Sequence, residues 1–507
     1  MNRLDAAARA AQVRAHSRPT SPRWAVALAW LGLAGLLVLQ AGAYTTALPL
    51  SLGPRVILQP WLLRQGYLMY EQIVDIHSPL MPLAISALAP LIPDGLTLAK
   101  LVQVGLLSAT TLLTFLAAWR VSGPGWGLWA AAFFVAWSRA FGFGKLWHES
   151  LLAPLYALLL CLADPGAERR SPARLLLIGL VGGIALTVKQ HAIVVVGALA
   201  VWHALSLWRA RRPAPEVVRD LALLGAGAAL PVVAAAGYQL IRAGTLAGMW
   251  RWTVTHSFES DYQSTSALWP TFEQVRTLAV SGLLAPAALT WAWAAHRRAD
   301  PRWRWLGWGL WLMVAASATV YPRFEMFHLQ PALPVMAWLS ALTLAGALRT
   351  ADRARAFAVG TAIALSLLWL LQGVSAYHIA FGDPPQHIDE YSSLAPLAEE
   401  ISTRITPAEQ VYIFPDDEGI SNLYYLLHRT PPRFWVFSYP WYGLDPIQQR
   451  VIDTLESDPP EWVIRFASRQ HLANGLPQVT AYVEAHYLQE AVVQSDEGEV
   501  WLLRRVR

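Results

Sequence analysis

LTLAKLVQVGLLSATTLLTFLAAW, Leu96 to Trp119, runs for 24 residues with a single charge, Lys100. A helix needs about 20 apolar residues to cross a hydrocarbon core, so this run can span a bilayer and would be poorly solvated by water. Similar runs extend from Trp24 to Leu48, Gly125 to Phe141, Ser150 to Ala163, Leu175 to Val188, Ala192 to Trp208 and Leu221 to Ile241. They continue from Val275 to Ala295, Leu306 to Val320, Leu329 to Leu348 and Phe357 to Tyr377. The pattern predicts a multi-pass α-helical membrane protein with about 11 transmembrane helices, several of them short. Composition agrees: of 507 residues 55% are hydrophobic and 14% charged, against roughly a quarter charged in soluble domains. A soluble multidomain enzyme, a disordered chain and a fibre are excluded. Pro79 to Pro93 is apolar but short and proline-rich, and reads as a helix lying in the interface.

The net charge of +5 conceals two halves. Residues 382–507 hold 9 Arg, no Lys and 19 acidic residues, a net of −10, which leaves +15 for residues 1–381. The positive excess sits in short connections: Arg3 to Arg23, Arg120, Arg169 to Arg174, Arg209 to Arg219, Arg297 to Arg304 and Arg349 to Arg355. Arginine in short loops marks the cytoplasmic side, so the basic balance is a topology signal and implies no nucleic-acid partner. The N-terminus is then cytoplasmic, and eleven spans place the tail outside. The single cysteine, Cys161, excludes an intrachain disulfide.

The opposite set of loops carries five of the 13 histidines, His77, His148, His191, His256 and His328. It includes a first outer loop at about 49–95, then Ser138 to Glu149, Lys189-Gln190-His191, Ala243 to Glu273 and Tyr321 to His328. In the first loop Glu71 and Asp75 are four apart, which on a helix sets both carboxylates on one face, with His77 close by. Such a pair suits a general base or a weak divalent metal site; ordinary solvated helix charges are the alternative. Lys189 could neutralise a lipid phosphate or simply snorkel at the end of a span. Arg323 and His328 could hold a phosphate or sugar, or Arg323 could pair with Glu325 on the surface. His148, Glu149 and Lys145, and the group His256, Glu259 and Asp261, are weaker candidates on the same side, and His203 reads as structural.

After Gly382 the pattern shifts to short alternations. Glu409 to Phe414, Arg433 to Phe437 and Glu461 to Arg465 read as strands. Helical stretches lie around Leu394 to Ile405, Ile420 to Leu427, Ile447 to Leu455 and Leu476 to Ala485, with a hairpin from Leu488 to Arg504. Alternating strands and helices predict a soluble α/β domain on a parallel sheet. No G-x-G-x-x-G is present to bind a nucleotide.

LLRQGYLMYEQIVDIHSPLMPLAISAL, from Leu62, resembles the first outer loop of integral-membrane glycosyltransferases of the C-type fold. The nearest branch holds the protein mannosyltransferase, aminoarabinose transferase and Rgt-like families. Gly66, Tyr70, Asp75, His77, Pro79 and Leu80 match its pattern; Lys189-Gln190 is similar to its Lys-Gln element, and RFEMFHLQPALP, Arg323 to Pro334, to its entry into a late span. The resemblance implies transfer of a sugar from a polyprenyl-phosphate-linked donor to a hydroxyl of a glycan, lipid or protein acceptor, at the outer face of the cytoplasmic membrane. Many relatives carry an acid just after the first span, whereas Leu50 to Arg55 has none. The implied base is therefore Asp75, with Glu71 as a supporting or metal-binding partner, and Tyr70, His77, His148, Glu149, Lys189, His191, Arg323 and His328 are expected around the substrate. The resemblance names no certain cofactor, and a divalent metal stays open. Two other classes compete: a polytopic transporter or lipid flippase, which should carry charges at mid-span, and a noncatalytic membrane scaffold displaying the tail.

Overall fold

The computed structural model describes residues 22–47, 52–163, 171–259, 302–321, 323–347, 389–436 and 440–506, with isolated positions between 269 and 296. The helices of the first part are α1 (Arg23–Gly42), α2 (Leu58–Arg64), α3 (Leu80–Leu88), α4 (Gly95–Ser122), α5 (Pro124–Ser138) and α6 (His148–Leu162). They continue as α7 (Pro172–Val188), α8 (Ile193–Arg209), α9 (Ala214–Ala243), α10 (Ala247–Thr253), α11 (Arg302–Ala316) and α12 (Leu333–Ala347). Local chemistry sets their ends. Asp94 caps α4 by accepting from the Thr97 amide at 2.8 Å, and α4 stops at Gly123, whose φ of 105° suits glycine. Pro124 then opens α5 at a position where its missing N–H costs nothing.

Among the described residues, five segments are long and apolar enough to cross a membrane: Arg23–Thr45, Gly95–Ser122, Gln190–Arg209, Ala214–Ala243 and Met326–Gly346. The expected count of eleven is not reached by length. Helices α5, α6, α7 and α11 have 15 to 17 residues, fewer than the roughly 20 of a full crossing, because turns such as Gly123-Pro124 cut the apolar runs. The expected span Val275 to Ala295 falls largely, and Phe357 to Tyr377 wholly, outside the described residues.

The bundle core joins residues of α4 to α8, α11 and α12, and fully buries the large rings of Trp137, Trp308 and Trp338. Helices α7 and α9 approach each other closely. A Cβ at Gly179, Gly183 or Gly227 would fall 2.1, 2.2 or 2.3 Å from a backbone oxygen of the other helix, so only glycine lets the two backbones touch.

The C-terminal part holds α13 (Asp389–Ser402), β1 (Val411–Phe414), α14 (Leu423–Leu426), α15 (Asp445–Ser457), β2 (Trp462–Phe466), α16 (Pro477–His486), β3 (Tyr487–Ser495) and β4 (Gly498–Arg505). The sheet runs β1-β2-β4-β3; only β1 and β2 are parallel, and the expected hairpin β3-β4 pairs antiparallel with β2. It is therefore a mixed sheet rather than the parallel one expected. Of the expected strand Arg433 to Phe437, the described residues Arg433 to Val436 do not join it. Instead Trp435 donates its amide to Gln72 O at 2.7 Å and accepts from the Val74 amide at 3.1 Å, forming a bridge with Ile73 of the first loop. One hydrophobic core accordingly spans both parts, uniting Leu62, Tyr67, Ile73 and Trp252 with Leu397, Phe414, Tyr424 and Leu502.

Candidate active site

The first loop is irregular between Gly66 and Pro79, with Gly66 at φ 86° and Tyr70 at φ 67°. The helix expected to align Glu71 with Asp75 is absent, because the segment spends its backbone hydrogen bonds on Trp435 and on a tight turn, Tyr70 N to Ile73 O at 2.7 Å. The two carboxylates part company. Glu71 packs against α10, where a Cβ on Gly248 would lie 2.5 Å from Glu71 Oε1, and Asp75 turns inward. Tyr70 is buried and donates its hydroxyl to His77 O at 2.8 Å, which holds the loop closed behind the site.

Asp75 is buried and accepts four hydrogen bonds. Its Oδ2 takes Arg55 Nε and Gln59 Nε2, each at 2.8 Å. Its Oδ1 takes the His77 amide at 2.9 Å and His77 Nδ1 at 2.7 Å. Burial pushes this carboxyl up, but the charges of Arg55 and His77 outweigh it and hold Asp75 well below the usual carboxylate range. His77 goes the other way, since burial lowers its imidazole from 6.5 although Asp75 opposes the shift. With Nδ1–H on an ionised carboxylate, the neutral ring carries its lone pair on Nε2. The imidazole stacks on His148, centroids 4.2 Å apart and planes at 12°.

A second buried carboxylate, Glu149 at the start of α6, binds Lys189 Nζ and His328 Nδ1 through Oε1. Lys189 Nζ lies 3.3 Å from His328 Nδ1, and Gln190 Nε2 donates to Ile76 O at 2.8 Å, tying this group to the first loop. Both clusters border one cleft of about 120 Å³.

His77, Lys189, His191, Arg323 and His328 line that cleft; Asp75, His148, Glu149 and Tyr70 stand behind its wall, and Glu71 lies apart. Arg323 donates to Glu325 at 2.5 Å, so the surface-pair alternative describes its contact. The group around His256 pairs internally, Nδ1 to Glu259 at 2.6 Å, and does not line the cleft; Asp261 lies outside the described residues. His203 pairs with Asp220 at 3.3 Å between α8 and α9.

Three lining residues were missed or undervalued. Arg55 stands in the segment notable for its missing acid and is fully buried beneath Trp147, 4.4 Å from the ring centroid; Gly53 permits this, since a Cβ there would come 2.9 Å from the indole. Lys145 sits between rings, 4.7 Å from Trp147 and 4.4 Å from Phe327. Glu418 reaches in from the C-terminal part, its Oε1 accepting from Arg55 Nη1 at 2.8 Å. An arginine directly after Gly53-Pro54 in an apolar stretch is visible in the sequence; the pairing with Glu418, 363 residues away, is not.

A divalent metal does not suit the Glu71 and Asp75 pair: the two are separated, and all four contacts of Asp75 are with donors. Among the described residues no three His, Cys, Asp or Glu side chains converge on a metal-sized site.

No protein-family profile matches the sequence, and no curated protein is similar to it by sequence alone. Solved structures are similar in shape. ArnT from Cupriavidus metallidurans, bound to undecaprenyl phosphate, aligns at TM-score 0.60 and 16% identity over 93% of this chain and 97% of that one. The archaeal oligosaccharyltransferase AglB from Archaeoglobus fulgidus, in complex with an inhibitory peptide and a dolichol-phosphate, aligns at 0.50 and 10% over 95% and 74%. The arabinofuranosyltransferase AftD from Mycobacteria aligns at 0.50 and 15% over 97% of this chain but 40% of that one. The chain thus has the fold of these membrane glycosyltransferases, the C-type glycosyltransferase fold.

Proposed function

We propose that the protein transfers a sugar from a polyprenyl-phosphate-linked donor to an acceptor hydroxyl at the outer face of the cytoplasmic membrane, with residues 1–381 as the membrane-embedded transferase part and 382–507 as its outward α/β domain. The observation that carries this reading is the Asp75–His77 pair at the wall of a cleft that also collects Arg55, Lys145, Lys189 and Arg323. Such a cleft offers both elements the reaction needs: a proton acceptor, and positive charge where a phosphate departs. That two proteins of the same fold were solved with a polyprenyl-type phosphate supports the donor class.

The four donors on Asp75 leave its carboxylate no lone pair free for a hydroxyl, so the base is His77, with Asp75 holding the ring in the useful tautomer. The acceptor oxygen attacks the anomeric carbon as its proton passes to His77 Nε2. The bond from that carbon to the phosphate oxygen breaks, and the electron pair leaves with the lipid phosphate, stabilised by the positive charge of the cleft. The new imidazolium is stabilised by Asp75, as in hydrolase triads. Glu71 receives no step.

The test is sugar release from labelled polyprenyl-phosphate donors by the purified protein in proteoliposomes. A positioned base contributes typically 10² to 10⁴ in rate, so His77→Gln should cut turnover by about that factor with donor still bound. Full turnover in His77→Gln removes the base assignment. Failure of the unaltered protein to turn over any such donor, with intact cargo moved across the bilayer, replaces the enzyme reading with the transporter.

A further inference from the structure

The cleft cations are not equivalent. Lys189 is 3% exposed and its charge is cancelled by the fully buried Glu149, a partner that cannot leave without stranding a charge in a low-dielectric interior. Arg323 is held by its near neighbour Glu325 at the rim. Arg55 and Lys145 differ from both. Arg55 offers Nε to Asp75 and Nη1, on another edge of the guanidinium, to Glu418, so the Nη1 partner can be exchanged without disturbing Asp75. Lys145, confined between the rings of Trp147 and Phe327, has as its nearest carboxylate among the described residues the same Glu418, at 4.0 Å. One carboxylate therefore faces two cations. It is also 21% exposed where Asp75 and Glu149 are 2% and 0%.

The loop carrying Glu418 is built to present it. Asp417 pairs with Arg469 at 2.8 Å, Asn422 Nδ2 donates to Leu52 O at 2.7 Å, and Asp416 accepts from Ser421 Oγ at 2.5 Å and Trp435 Nε1 at 2.6 Å. Residues on both sides of position 418 are thus tied down, and the carboxylate stands in the cleft beside Arg55.

We propose that Arg55 and Lys145 form an anion subsite for a phosphate group, and that Glu418 of the C-terminal domain occupies it as a resident anion which the substrate phosphate displaces. This deepens the transferase reading and rests on it, since that reading supplies the phosphate. Two cations and one two-oxygen anion make a charge-assisted pair that a phosphate, with more acceptor oxygens, can replace. Loading the donor then breaks the Glu418 contact to Arg55, so the C-terminal domain senses occupancy of the cleft. A simple interdomain latch would lack this competition.

The two ideas predict opposite signs. Direct binding of undecaprenyl phosphate and of inorganic phosphate to the detergent-purified full chain is measured for the unaltered protein, Glu418→Gln, Lys145→Gln and the double variant, with polyprenol as the uncharged control and gel filtration and melting as checks on folding. Removing the competing carboxylate should tighten phosphate binding about tenfold, the equivalent of one charged hydrogen bond. Lys145→Gln should weaken it by a similar factor, and the gain from Glu418→Gln should vanish in the double variant. Should Glu418→Gln fail to fold, Glu418→Asp, which withdraws the carboxylate by one methylene, should give the same tightening. Weaker or unchanged binding of both probes in a folded Glu418 variant overturns the subsite. If inorganic phosphate shows the gain but the lipid binds no better than polyprenol, the subsite stands and the lipid-donor reading falls. If the lipid binds tightly and equally to all variants, the donor reading stands and the subsite falls.

Discussion

His77 shows how a residue's neighbours set its use. Burial lowers its imidazole below 6.5, and Asp75 is what keeps the shift from being larger. A neutral ring is the active form of a base, so kcat/KM should fall on an acid limb below pH 6.5, as His77 takes up a proton. In Asp75→Asn the opposing charge is gone, so that limb should move to still lower pH while the plateau drops; a pH–rate profile of both proteins reads this directly, and an unmoved limb would mean another group titrates. Glu149 gives a stability counterpart. Glu149→Gln leaves Lys189 charged and buried, and breaking such a pair costs about 3–5 kcal/mol, visible as a lower midpoint in thermal melting with the donor absent. At this scale the sequence was partly legible. Asp75, Lys189 and His328 stood out because polar groups in apolar surroundings need a reason. Arg55 was not legible because its carboxylate partners lie 20 and 363 residues away, and Glu418 was not because it belongs to an acidic run, Asp416-Asp417-Glu418, that reads as surface.

Among elements, α7 and α9 carry the clearest constraint. Gly183 sits against the backbone of Ala228, where a Cβ would come within 2.2 Å of its oxygen. Gly183→Val must push the helices apart, and overpacking of this kind costs typically 1–3 kcal/mol or more; melting in detergent should show the loss, while Gly197→Ala on α8, which meets nothing within 4 Å, should be nearly silent. The existence of these helices was plain from apolar runs, because lipid solvation demands such runs. Their lengths were less legible: a window of apolar residues does not reveal that Gly123-Pro124 ends one helix and starts the next. The segment RFWVF misled for a related reason. Its alternation is that of a strand, but alternation is blind to which partner completes the ladder, and Trp435 pairs with Ile73 rather than with β1 or β2.

For the whole molecule, the joint between its two parts decides behaviour. Asp416, beside that joint, is pushed up to about 8 chiefly by burial, although Ser421 and Trp435 donate to it. A carboxyl raised on folding binds its proton more tightly in the native state, so its contribution is complete at low pH and is lost as pH rises towards 8. The C-terminal domain should therefore loosen from about pH 4 to 8, and Asp416→Asn should flatten that dependence; limited proteolysis across the range, with both proteins, measures it. Orientation has its own check: a reporter active only in the cytoplasm, fused after Arg507, should stay dark, and bright signal would reverse the arginine-based topology. The shared core also bears on how the protein is made. Arg55 meets Glu418 across 363 residues, and at roughly 5–20 residues per second of synthesis the first loop leaves the ribosome some 20–70 s before its partners exist. During that interval Tyr67, Ile73 and Val74 lack the C-terminal half of the core that covers them, Trp435 and Phe414 among it, so the nascent chain must be shielded or tolerate exposure, and a transcript cut short before the C-terminal domain leaves that apolar side of the first loop open.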